Sequence, residues 1–224
     1  STDLTSMSSP YLNGMLDEFF DGKLLPILQF NRGCPFSCTF CCEGENYFNK
    51  VRNHGLDNSR AELLYIAERM AKSHAGGGRN DLGIADSNFG MFKDDIEIAK
   101  ILAELQDTYD WPDYIHVATG KNQKHRVLDV ARTLRGAMRL SGSVQTLDPD
   151  ALKAIKRSNI SADDLLALAK EASDIQANSY TETILGLPGE TKEAHYNTLR
   201  MLMEADYNRV ICYQLMLLPG TELN

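Results

Sequence analysis

The stretch that decides the reading is Leu24-Leu25-Pro26-Ile27-Leu28-Gln29-Phe30-Asn31-Arg32-Gly33-Cys34-Pro35-Phe36-Ser37-Cys38-Thr39-Phe40-Cys41-Cys42. Its first seven residues form a short apolar run, the signature of a buried strand. The run ends in a loop that packs four cysteines into nine positions. A strand running straight into a cluster of chemically active residues is what open α/β folds and barrels produce, because their ligands sit at the carboxyl ends of parallel strands.

The rest of the chain repeats the alternation. Residues 59–73 carry helical periodicity, with Leu63, Ile66, Ala67 and Met70 on one face and Ser59 and Glu62 spaced as a capping box. Residues 82–85 read as a second strand, and 94–106 as a helix opened by Asp94 and Asp95. Strand 114–119 and helix 124–134 follow, then strand 137–145 and a helix that starts at Asp148-Pro149, with proline in the first turn. Helix 162–173, strand 178–185, helix 190–205 and strand 209–215 complete the series. Six strand signals with helices between them imply parallel strands joined by right-handed crossovers. The expected fold is α/β: an incomplete (β/α)6 TIM-like barrel whose final helix is missing from this segment. Residues 1–23 read as an N-terminal linker with a short helix over 11–20, and 24–224 as the core domain. Ending after a sixth strand, the chain reads as a piece of a longer protein.

The cysteines carry the chemistry. Cys34, Cys38 and Cys41 are spaced C-x3-C-x2-C, and a loop that doubles back brings such thiolates to one point. Thiolates are soft ligands suited to iron–sulfur clusters or zinc. Structural zinc wants four ligands, usually as two separated pairs, and neither the remaining cysteines nor the five histidines supply a second pair. Cys42 and Cys212 read as small packing residues, and His116 as a satisfied core histidine. Gly76-Gly77-Gly78 is a turn and not a phosphate loop, since no Gly-Lys-Ser/Thr follows.

With Phe40 just before its last cysteine, this motif resembles that of the radical S-adenosylmethionine (SAM) enzymes. The resemblance implies a [4Fe-4S] cluster on Cys34, Cys38 and Cys41, with the open iron chelated by the amino and carboxylate groups of SAM. Reductive cleavage then gives a 5′-deoxyadenosyl radical. It extends over residues 24–218 in matching order. Ala85-Asp86-Ser87-Asn88 occupies the place of the family's Gly-Gly-Glu stretch, which meets the methionine amino group, although the glycines and glutamate are absent. Ser143, Gln145 and Arg157 fall in a segment similar to one whose glutamine and arginine contact the ribose and carboxylate. Ile184-Leu185-Gly186-Leu187-Pro188-Gly189-Glu190-Thr191 closely resembles the adenine-side stretch, and this assigns Ile184, Gly186, Leu187 and the Phe40 backbone to SAM. Lys121 is expected on the same rim.

Ser8-Ser9-Pro10-Tyr11-Leu12 resembles the linker that follows a cobalamin-binding domain. That implies cobalamin supplied by an upstream domain and a methyltransferase, or related enzyme, acting on a small molecule or natural product. The alternatives are a methylthiotransferase-like RNA-modifying enzyme and a non-catalytic module with a structural metal knot. One-electron chemistry implies a donor such as flavodoxin or ferredoxin.

Composition limits the rest. The 224 residues hold 23 Lys+Arg against 31 Asp+Glu, a net charge of −8. An acidic chain without a basic cluster argues against broad electrostatic nucleic-acid binding by this segment. With no apolar run of membrane length and no signal peptide, a cytoplasmic location is expected.

Overall fold

The structure, a computed structural model, describes residues 4–120, 122–159, 162–174, 177–205 and 207–224. Strand β1 (Ile27–Leu28) leads into β2 (Asn31–Arg32), which pairs antiparallel with β3 (Arg52–Asn53) and so closes the cysteine loop at its base. Helix α1 (Leu56–Ala75), β4 (Asp81–Phe89), α2 (Asp94–Tyr109), β5 (Tyr114–Thr119) and α3 (Lys124–Thr133) follow. The second half runs β6 (Leu140–Ser141), α4 (Pro149–Ala154), α5 (Ala162–Asp174), β7 (Ser179–Leu185), α6 (Lys192–Glu204) and β8 (Arg209–Gln214).

The strands form two parallel sheets, β1-β4-β5 and β6-β7-β8. A parallel bridge from Ile115 to Met138 and reciprocal hydrogen bonds between Thr119 and Ser141 join them side by side. This is the expected α/β architecture of parallel strands, an open barrel that does not close. The main core fills the space between the β1-β4-β5 sheet and helices α1 to α3. Leu63, Ile66, Leu82, Leu102, Trp111, Leu128 and Met138 are fully buried there. Burying a side chain of that size contributes roughly 1.5–3 kcal/mol.

Several expectations fail locally, for identifiable reasons. The first strand is two residues long rather than seven. Pro26 has no N–H for the ladder, and the N–H groups of Phe30 and Asn31 donate to the Asp86 carboxylate instead of to a strand. The expected capping box does not form, because α1 starts earlier, at Leu56. Ser59 lies inside the helix and donates to the Gly55 carbonyl, and Glu62 turns to His54. The stretch expected as strand 137–145 pairs only at Leu140–Ser141, with single bridges at Met138 and Gln145. Gly142 is pressed against the Tyr207 ring, and Gln145, at a left-handed φ of 68°, rejoins β7 only through a single bridge to Thr183.

Residues 11–20 make no α-helix, only a 3₁₀ turn at Asp17–Phe19. They nevertheless pack on the domain. The Tyr11 hydroxyl donates to the Ile27 carbonyl and accepts from the Ile27 N–H, which terminates the outer edge of β1, while Leu16 and Phe20 rest on the core. Among the described residues no helix is long and apolar enough to cross a membrane.

Candidate active site

The cysteine loop is shaped by its own backbone before any side chain acts. Cys34 N–H donates to Phe48 O at 3.0 Å, Cys41 N–H to Cys38 O at 3.1 Å, and Gly44 N–H to Cys41 O at 2.9 Å. Two glycines permit this. Gly33 has a φ of 103°, and a β-carbon there would sit 2.5 Å from Phe48 O. At Gly44 a β-carbon would fall inside van der Waals contact with the Cys38 carbonyl. Sequence reading passed over both residues, and Phe48 with them. The signal for Gly44 was its position three residues past the last motif cysteine.

Cys34 and Cys38 are buried, Cys41 is half-buried and Cys42 is exposed. Cys42 therefore does not pack in the core, and neither does Cys212, which lies exposed on β8. Its strand is an edge of the sheet and mostly solvent-facing. Among the described residues no three His, Cys, Asp or Glu side chains are close enough to hold a single ion. A single tetrahedral ion needs its sulfurs drawn within about 2.3 Å of one centre, whereas a four-iron cluster takes one thiolate at each of several separate irons. The donor set, three soft thiols on one folded loop, fits such a cluster.

Two side chains from other elements reach the thiols. Asn88, at the end of β4, donates through Nδ2 to Cys34 Sγ at 3.2 Å. Arg157, just past α4, places Nη1 at 3.8 Å from Cys38 Sγ. Its other donors go to the Ser143 carbonyl and to Asn159 Oδ1. Arg157 is only 8% exposed, and among the described residues its partners are neutral oxygens and a thiol. A buried cation without a carboxylate is expensive and marks a place for an anionic partner.

Asp86 and Asn88 lie within β4, not in a loop after it, with half-buried Ser87 between them. The Asp86 carboxylate is engaged by the chain that enters the cysteine loop. It accepts from Phe30 N–H at 2.7 Å, Asn31 N–H at 2.9 Å and Asn31 Nδ2 at 3.0 Å. The same Asn31 amide donates to Asp95 at 2.9 Å. Burial pushes the Asp86 carboxyl up to about 7, against the pull of these donors, and pushes Asp95 up to about 6. Asp86 thus anchors the root of the cysteine loop. Asn31 and Asp95 complete the anchor; from the sequence Asp95 reads only as a helix-opening acid, and Asn31 carries no signal of its own.

On the opposite wall Phe40, Ile184 and Leu187 meet in one apolar cluster with Ala151, Ile155 and Leu215. Thr39 N–H donates to Ile155 O, which ties the loop to the end of α4. Gly186 turns the chain out of β7 with a φ of 89°. Gln145 is held by its backbone between Glu182 and Ile184, and Ser143 Oγ donates to Glu182 at 2.6 Å. Ser143, Arg157 and Asn159 line one small pocket. Six of the expected residues thus fall into three groups: Asn88 and Arg157 at the thiols, Phe40, Ile184 and Leu187 on the apolar wall, and Asp86 at the root of the cysteine loop. His116 is not a core histidine. It is exposed on β5 and pairs with Asp81 at 2.7 Å. Lys121 lies outside the described residues.

A second unforeseen network sits beneath the turn after β7. The Glu190 carboxylate accepts from Thr146 Oγ1 and contacts His195 Nδ1 at 3.1 Å, with both Glu190 and His195 side chains under 10% exposed.

Comparison with known proteins agrees with this geometry. Residues 28–202 match the model of the Radical SAM superfamily. The chain is 33% identical over 231 residues to the cobalamin-dependent radical SAM methyltransferase TokK of Streptomyces tokunonensis, covering 99% of this chain and 33% of that protein. It is 31% identical over 226 residues to the 2-(S-pantetheinyl)-carbapenam-3-carboxylate methyltransferase of Streptantibioticus cattleyicolor, covering 96% and 32% respectively. The chain therefore spans about a third of the length of these curated relatives. Its fold matches the radical SAM methyltransferase TsrM of Kitasatospora setae with a TM-score of 0.72 at 17% identity, covering 92% of this chain and 37% of that one. With its cysteine loop at the carboxyl end of β1, the chain belongs to the radical SAM superfamily.

Proposed function

We propose that this chain is the catalytic core of a cobalamin-dependent radical SAM methyltransferase acting on a small natural product, of the kind exemplified by a carbapenam carboxylate. The observation that carries the radical SAM part is the approach of the Arg157 guanidinium, buried and without a carboxylate partner among the described residues, to Cys38, one of three thiols on a single folded loop. The relatives' names support the cobalamin and substrate parts.

In this reading Cys34, Cys38 and Cys41 hold three irons of a [4Fe-4S] cluster, which when bound supplies the electron that breaks the sulfonium C–S bond of SAM. Arg157 meets the methionine carboxylate, for which a guanidinium offers a bidentate fork. Asn88 stands where the methionine amino group is expected. Phe40, Ile184 and Leu187 form the apolar wall beside the adenine, and the Gly186 turn lets backbone approach the nucleotide. Gln145 and Ser143 belong to the ribose side. Burial of Cys34 and Cys38 keeps water from the thiolates. Cobalamin is supplied by a domain outside this chain, and the electron by a flavodoxin- or ferredoxin-type donor.

The test is anaerobic reconstitution of the full-length protein, reduction in the presence of SAM, and assay for 5′-deoxyadenosine. We expect product from the wild type and none from Cys38→Ala. Methyl transfer to a carbapenam carboxylate should further require added cobalamin. A protein that binds redox-silent metal and leaves SAM intact overturns the proposal.

A further inference from the structure

Asn88 is 1% exposed, and its Nδ2 donates to Cys34 Sγ at 3.2 Å. Its Oδ1 is buried and has no hydrogen-bond partner among the described residues. Against a neutral thiol this is a poor arrangement. A thiol sulfur is a weak acceptor and returns little for the desolvated amide N–H. Against a thiolate the balance changes, since hydrogen bonds to ionised groups are roughly twice as strong. The Asn88 donor is therefore matched to the sulfur's ionised, metal-bound state rather than to a free thiol.

Hydrogen bonds to the sulfurs are among the levers that set a cluster's potential. A donor on a ligand thiolate stabilises the more electron-rich, reduced state more than the oxidised one. We infer that Asn88 is a positioning residue acting through Cys34, whose N–H···S bond raises the reduction potential of the cluster. This inference rests on the cluster assignment under Proposed function. Arg157 reaches a different ligand, Cys38, at 3.8 Å, and is left unchanged in the test below.

The experiment is a redox titration of the anaerobically reconstituted protein with Ti(III) citrate, following the electron paramagnetic resonance signal of the reduced cluster. Asn88→Leu keeps the side-chain size without the donor. Asn88→Asp keeps the shape and replaces the donor with an acceptor. Both variants should retain wild-type iron and sulfide and should be harder to reduce, by about tenfold in the equilibrium constant, or about 59 mV for one electron. The Asp variant should shift at least as far as the Leu variant. A change of less than twofold in that equilibrium constant in the variants that keep their cluster, or a shift toward easier reduction, overturns the inference. Loss of iron from both variants also overturns it, because Asn88 would then hold the loop rather than tune the cluster. If one variant loses iron, the other decides. A wild type that takes up no four-iron cluster fails the assignment itself, a distinct outcome.

Discussion

Arg157 Nη1 and Cys38 Sγ approach to 3.8 Å across 119 positions of sequence. The contact joins the loop between β2 and β3 to the segment just past α4, so one guanidinium links the two halves of the fold. A second arm holds the Ser143 carbonyl, and Nε holds Asn159, whose Nδ2 in turn donates to the carbonyls of Val144 and Thr146. The fork, not merely the charge, is what this site uses. Arg157→Lys should therefore keep the cluster but weaken SAM binding at least about tenfold, or about 1.4 kcal/mol. Equilibrium dialysis with SAM, set beside iron content, reads both. Unchanged affinity in the Lys variant would remove Arg157 from the SAM carboxylate.

Asp86 and Asp95 give the fold a pH signature. Burial raises Asp86 to about 7 and Asp95 to about 6, both above the ordinary carboxyl value of 3.8. An acid with a raised folded-state pKa binds its proton more tightly folded than unfolded. Its contribution is full below about pH 4 and is lost as pH rises through 6 to 7. The cluster-free protein should therefore lose stability between pH 5 and pH 8. Asp86→Asn removes one titration and should flatten that slope, although it costs stability at low pH by presenting an NH2 to donors. Urea unfolding midpoints at the two pH values check both statements. A slope as steep in the variant as in the wild type would sink the assignment to Asp86.

Gly44 presses against the Cys38 carbonyl so closely that a β-carbon cannot enter without moving the loop backbone. Gly44→Ala should therefore displace Cys38 and lower iron uptake several-fold, while the unfolding midpoint of the cluster-free protein changes by less than about 1 kcal/mol, since the loop lies outside the main core. Cys42→Ser and Cys212→Ser, both at exposed positions, should leave iron content unchanged. Iron and sulfide assays on the three variants settle the matter.

The regular helices and central strands were legible because their periodicity is paid for by a buried face: β5 lies over residues 114–119 as read, and α3 starts at Lys124 as read. What could not be read is what a side chain from a distant element does to the backbone. The first strand stops at Leu28 because Asp86 takes the N–H groups of Phe30 and Asn31. Asp86 looked like a ligand contact because its place in the series was visible and its rotamer was not. Cys212 was read as buried because strand residues usually are, yet β8 is an edge. The cysteine spacing itself survives such effects, being set within one loop, whereas Asn31, Asp95 and Asn159 act only through partners dozens of residues or one turn of irregular chain away.

Glu190 closes the last of these long-range links. Its carboxylate lies between Thr146, which also accepts from the Asp148 N–H, and His195 on α6. It thereby fixes the turn after β7 against the segment after β6, the two stretches expected to flank SAM. Removing the carboxylate strands a buried hydroxyl and a buried imidazole together, so Glu190→Ala should destabilise the fold by about 2–4 kcal/mol. Glu190→Gln keeps one acceptor and should recover roughly half of that loss. If the link also positions SAM, the Gln variant should bind SAM several-fold more weakly than wild type under conditions where both are fully folded. Calorimetric titration at a temperature well below both unfolding midpoints separates the two effects. Equal SAM affinity in the folded Gln variant would confine Glu190 to holding α6 in place.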